Sequence, residues 1–82
     1  MFLGEAVTKR IVEIMKEYHL NASKWSTKAG ITPSTLYDIK KKKSSCPDLY
    51  TIRKLCDAIK MPITEFFNVD YILKSELEDD FL

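Results

Sequence analysis

An all-α fold, one compact domain of about five helices, is predicted by three features of this 82-residue chain. Its two glycines and three prolines fall between periodic segments rather than inside them. Apolar residues within those segments recur every three or four positions. Helix-start and helix-stop residues stand at the segment ends. A chain of this length buries only about 60–65% of its unfolded surface, but a hydrophobic fraction of 45% with 11% aromatics still supplies a modest core.

In the first segment Val7, Ile11, Ile14 and Tyr18 keep helical spacing, with charged residues between them, which predicts a helix from about Gly4 to Tyr18. A short helix follows over Asn21–Ala29, with Asn21 as its N-cap and Trp25 and Ala29 four apart. Gly30 is placed as the residue that ends it, where a left-handed turn is free of steric penalty. Thr32-Pro33 is the clearest start in the chain, a capping hydroxyl before a proline at the first helical position. The helix it opens turns Leu36 and Ile39 inward and ends in Lys40–Lys43, where cations suit the negative end of the helix dipole. After the loop Ser44–Pro47, Asp48 caps a helix whose buried face is Leu49, Ile52, Leu55, Cys56 and Ile59. A last short helix from about Pro62 to Phe67 buries Ile63 and either Phe66 or Phe67. Tyr71–Leu77 carries a weaker pattern for one further turn.

The longest apolar stretches run only two or three residues, which excludes a transmembrane helix, and the N-terminus has no secretory signal pattern. Two cysteines and one histidine make neither a disulfide framework nor a four-ligand metal site. There is no nucleophile–base pair and no glycine-rich phosphate loop, so no enzymatic activity and no cofactor are expected. A soluble cytoplasmic protein is the expectation. The net charge of +1 is unevenly spread: twelve of thirteen Lys/Arg but seven of twelve Asp/Glu fall in residues 1–67, a local excess of +5. Residues 68–82 hold Lys74 against five acids, or −4. The basic body favours a polyanion and the acidic tail does not. The chain is therefore divided into a domain over 1–67 and an acidic, apolar tail over 68–82.

Segments 21–29 and 32–42, joined by Gly30-Ile31, form a helix-turn-helix. With Leu36 and Ile39 inward, the outward stripe of the second helix is Ser34, Tyr37, Asp38 and Lys41, flanked by Pro33 and Thr35. Short polar side chains at the start of such a stripe reach base edges without holding the backbone out of a major groove. Residues 20–67 resemble the phage-repressor helix-turn-helix proteins, the lambda-repressor/Cro-like or XRE family. The matching stretches run from Trp25 through Ala29-Gly30-Ile31-Thr32-Pro33 to Ile39, and from Pro47-Asp48-Leu49 through Ile52 and Leu55 to Ile59.

The resemblance implies five helices, sequence-specific binding to double-stranded DNA by a transcriptional regulator of repressor type, and a homodimer on a pseudo-palindrome. Carried over, the base-reading positions are Pro33, Ser34, Thr35 and Asp38. The backbone-contacting positions are Asn21, Ala22, Tyr37, Lys41 and Lys43, with Lys40 part of the lysine run; the family's phosphate-binding Gln is replaced by Ala22, so that contact is either absent or supplied by Lys24. Lys42 stands where the family usually has Gly, and His19 also falls where Gly is common. Bidentate Arg, Gln and Asn readers are missing from the stripe, so readout falls to hydroxyls, Asp38 and Tyr37, and partly to DNA shape.

Each feature also has a plainer reading. Lys40–Lys43 is a phosphate clamp or a solvated helix end. Asp38 reads a base or pairs with Lys41 or Lys42, and Tyr37 touches phosphate or covers the helix surface. Trp25 and Cys56 are core residues, and Cys46 is a loop thiol. The tail, with Tyr71, Ile72, Leu73, Leu77 and Phe81-Leu82, docks on the body, builds a dimer contact or frays. A second class of function uses the same scaffold as a protein-binding adaptor or antitoxin-like module, with the tail as its contact.

Overall fold

The computed structural model describes residues 1–41 and 47–77. Six helices follow one another: α1 Leu3–Glu17, α2 Ala22–Ala29, α3 Pro33–Lys40, α4 Leu49–Ala58, α5 Ile63–Phe67 and α6 Asp70–Leu73. The fold is all-α, and no strand occurs among the described residues. None of these helices is long and apolar enough to cross a membrane. The expected elements are present with ends displaced by a residue or two. The chief displacement is α3, which stops at Lys40 with Lys41 as its C-cap. The expected extension through Lys42 and Lys43 lies outside the described residues, as do Cys46 and Phe81-Leu82.

Trp25, Phe66, Ile11, Ile14, Leu36 and Leu55 are the largest fully buried side chains, so α1 to α5 each send residues into one core. Trp25 is a core residue, as its position in α2 predicts, and its indole N–H donates to the Leu55 carbonyl at 3.0 Å. Cys56 is buried as well, and burial pushes its thiol up to about 11. Buried Thr8 donates from its hydroxyl to the Ile39 carbonyl at 3.5 Å, tying α1 to the end of α3. These contacts set α2 and α3 on a rigid base formed by α1 and α4.

Two faces depart from expectation. Tyr18 closes α1 as its C-cap and stays 41% exposed, because the chain turns away one residue later. Leu49 is 63% exposed, although its spacing places it on the buried face of α4. As the first residue of that helix it stands a turn ahead of Ile52, and no helix among the described residues covers it. In α5 the core takes Phe66, while Phe67 packs edge-to-face against it at 5.0 Å and is only half-buried.

Three helices end with the same backbone device. Leu20 N–H donates to Met15 O, Ile31 to Ser26 O and Met61 to Cys56 O at 2.8, 3.0 and 3.0 Å, each spanning a residue at positive φ. Those residues are His19 at 54°, Gly30 at 76° and Lys60 at 56°. This is the Schellman closure, which favours glycine at its left-handed residue, and only one of the three is glycine.

Residues 70–77 fold back on α1. Ile72 is 7% exposed within the core, Tyr71 donates its hydroxyl to the Glu13 carboxylate, and Lys9 lies over the Tyr71 ring at 4.5 Å. Burial and that carboxylate raise the Tyr71 phenol to about 12. Beyond α6, Leu3 N–H donates to Glu76 O at 2.9 Å and Glu76 N–H to Met1 O at 3.0 Å, a single parallel bridge between the two ends of the described chain.

Candidate nucleic-acid interface

The two helices of the motif are set by local chemistry. Asn21 accepts the Lys24 backbone N–H on its side-chain oxygen at 2.7 Å and so caps α2. At the other end Gly30 supplies the left-handed residue, and its own N–H reaches Thr27 O at 3.2 Å. A Cβ at Gly30 would meet nothing within 4 Å, so the backbone angle alone favours glycine there.

Thr32 is the N-cap of α3, but its hydroxyl caps no backbone N–H. It lies 2.8 Å from the Thr35 hydroxyl and 3.2 Å from that of Ser34. In place of the expected capping bond there is a chain of three hydroxyls. The consequence falls on two of the candidate base-reading residues. Ser34 and Thr35 share a hydrogen-bonded neighbour, so their rotamers are coupled.

On α3, Leu36 and Ile39 are buried at 0% and 3%, which turns Pro33, Ser34, Tyr37, Asp38 and Lys40 to the outside, with Thr35 half-buried. Lys41 stacks its ammonium over the Tyr37 ring at 4.5 Å. The alternative in which Lys41 pairs with Asp38 therefore does not form; among the described residues the ion pair found is Arg53 with Asp57. Lys24 and Asn21 are exposed at the start of α2, close in sequence to the cap they form. Lys43, and with it part of the lysine clamp, lies outside the described residues.

One cation stands beside Lys40 that sequence spacing does not single out. Lys16 of α1 lines a shallow cleft with Val12, Met15, Leu20 and Lys40, so a lysine from α1 stands beside the end of α3. The two are far apart in the chain, and only the packing of α1 across α3 brings them together. The exposed side of α3 combines short polar side chains with Tyr37 and Lys41, and Lys40 at its end stands beside Lys16 of α1. Chemically it offers hydroxyl donors and acceptors, one carboxylate and several phosphate partners, with no buried reactive group among them.

A family model described as the Cro/C1-type HTH DNA-binding domain matches residues 10–70. That span takes in the second half of α1, the helix-turn-helix and everything through the start of α6. No curated protein and no solved structure matches the chain.

Proposed function

The chain belongs to the Cro/C1-type HTH DNA-binding domain family, and from that membership we propose that it is a sequence-specific, repressor-like transcriptional regulator acting as a homodimer on double-stranded DNA. The observation that carries this reading is the exposed stripe of α3, polar at its N-terminal end and flanked by cations at its C-terminal end. In this reading α3 enters the major groove. Ser34, Thr35 and Asp38 face base edges and Pro33 offers apolar contact, for example to a thymine methyl. Lys24, Lys40, Lys41 and Lys43 hold phosphates, and Asn21 and Tyr37 contact the backbone beside them.

The coupled hydroxyls of Thr32, Ser34 and Thr35 support a limited form of direct readout. Hydroxyls accept or donate with little discrimination, and those already hydrogen-bonded to one another have fewer free lone pairs to offer a base. Selectivity then leans on DNA shape as well as on contacts. The adaptor reading has less to stand on, because Tyr71, Ile72 and Glu76 of the tail are already engaged with α1 and with Met1–Leu3.

A random-oligonucleotide selection followed by a salt titration of the enriched duplex tests the proposal. A palindromic site is expected, with log K falling against log[salt] at a slope of roughly −5 to −7 if a dimer neutralises about six to eight phosphates. Lys40→Ala with Lys41→Ala should weaken binding and flatten that slope. Absence of any enriched sequence, with only weak salt-sensitive association, would refute sequence-specific regulation.

A further inference from the structure

A shallow trough follows α1 to the end of α3. Two adjoining clefts share Val12, Lys16 and Lys40 in their lining; one continues to Met15 and Leu20, the other to Met1 and Lys9. The floor is apolar, with Val12 and Leu20 half-buried, and three exposed lysines stand along it. Two acids also line it, and the fold engages both. Glu5 accepts the Phe2 backbone N–H at 3.1 Å, and Glu13 accepts the Tyr71 hydroxyl. Lys9 lies over the Tyr71 ring, a contact that leaves its charge uncompensated. Lys16 and Lys40 take no ion pair among the described residues, where Arg53 pairs with Asp57.

We infer that residues 78–82 of the same chain dock in this trough, with Phe81 over Val12 and the acids before it beside the lysines, and so shield Lys16 and Lys40 from DNA. The sequence there is Glu78-Asp79-Asp80-Phe81-Leu82, and the described residues end just before it, at Leu77. Glu76 is hydrogen-bonded to Met1 and Leu3, so the segment sets out from one end of the trough. That bridge is parallel, which sends residue 77 the same way as the chain entering α1. Reach and register also agree. Phe81, five residues beyond Glu76, extends at most about 17 Å, and Val12 stands about 14 Å along α1 from Leu3. The three acids then pass Lys9, about 9 Å along the same helix. The other open groove, between α4, α5 and α6, offers this segment no cation, since Glu65 is its one charged residue among the described ones.

A contact of five residues would be weak between separate molecules. Here its tether starts at the trough, and so short a link holds the two at an effective concentration of about millimolar or above. The consequence for DNA rests on the DNA-binding reading, in which Lys40 holds a phosphate. The segment and the DNA backbone then compete for the same cations, and binding of one displaces the other.

Nuclear magnetic resonance of the full chain without DNA tests the docking. Deleting residues 78–82 should shift the backbone amides of Val12, Lys16 and Lys40, which lie beyond the site of truncation. Phe81→Ser, which changes no charge, should shift the same amides. Unmoved amides at these three positions in either variant overturn the inference. DNA affinity is read on a non-specific duplex. The deletion should tighten binding by about fivefold or more at low salt and steepen the slope of log K against log[salt] by about 1 to 2, because the two lysines then release counterions rather than the segment. Phe81→Ser should recover part of that gain. A gain on deletion that Phe81→Ser does not share would mean long-range repulsion alone and overturn the shielding, as would an unchanged affinity. A chain that shows the amide shifts but binds no DNA would refute the proposed function and leave the docking standing.

Discussion

Arg10 of α1 holds the end of α5 by its backbone: Nε donates to the Phe66 carbonyl at 2.8 Å and Nη2 to the Glu65 carbonyl at 2.9 Å. The last carbonyls of a helix have no partners within it, and in α5, five residues long, they are a large fraction of the whole. One guanidinium satisfies two of them and lies over the Phe66 ring at 5.9 Å. The arginine thus adds to the Asn68 backbone N–H, which reaches the Glu65 carbonyl at 3.4 Å, and ties the end of α5 to α1.

Arg10→Ala should therefore destabilise the chain by about 2 kcal/mol, the range for charged donors to partly buried carbonyls. Arg10→Lys should recover only part of this, because an ammonium does not present two parallel donors. Urea denaturation checks both. Equal stability of the lysine variant and wild type would show that the fork geometry is not used.

The left-handed closures of α1 and α4 hold side chains where glycine is favoured. His19→Gly and Lys60→Gly should each stabilise the fold by about 0.5–1 kcal/mol, the strain released being partly offset by the greater freedom glycine has in the unfolded chain. Gly30→Ala should destabilise by a similar amount in the opposite direction. Thermal melts of the three variants would show the sign of each change directly.

Deleting residues 71–82 should lower stability by about 3 kcal/mol, since it removes buried Ile72 and the Tyr71 hydroxyl from the Glu13 carboxylate. A loss of DNA or partner binding on that deletion would then reflect unfolding as much as a missing contact. An unchanged melting temperature would mean that the packing of α6 on α1 contributes little.

Asp48 accepts the Thr51 backbone N–H at 2.7 Å, and that hydrogen bond holds its carboxyl below the ordinary value of 3.8. A depressed folded-state pKa stabilises above the unfolded value, and the contribution is lost as pH falls from about 3.8 through the lower folded value. Asp48→Asn keeps an acceptor at the cap but removes the titration. Melting temperatures of wild type and variant should therefore converge as the pH is lowered through this window, and parallel curves would rule out Asp48 as a source of acid sensitivity.

Much of this molecule is legible in its sequence because the relevant physics is local. The Asn21 and Asp48 caps, the Gly30 turn, the proline opening of α3 and the inward placing of Leu36 and Ile39 all depend on residues within a few positions of one another. Hydrophobic spacing also put Trp25 and Cys56 in the core. At His19 only the resemblance, which puts glycine there, hints at a left-handed backbone, and at Lys60 nothing does, because neither side chain announces one, although the six-residue closure around each is as local as that at Gly30.

Tertiary structure decided what depends on neighbours distant in the chain. Leu49 keeps the spacing of a buried residue, yet at the start of α4 no other helix among the described residues arrives to cover it. Arg10 reads as a charge on the polar side of α1 until the end of α5 is brought beneath it. The segment around Ile72 has a weak helical pattern of its own and becomes ordered by packing on α1, while Lys16 joins Lys40 only because α1 crosses α3. Periodicity reports which face of a helix is apolar. Whether that face is covered, and by what, is settled when loop closure brings the partners together.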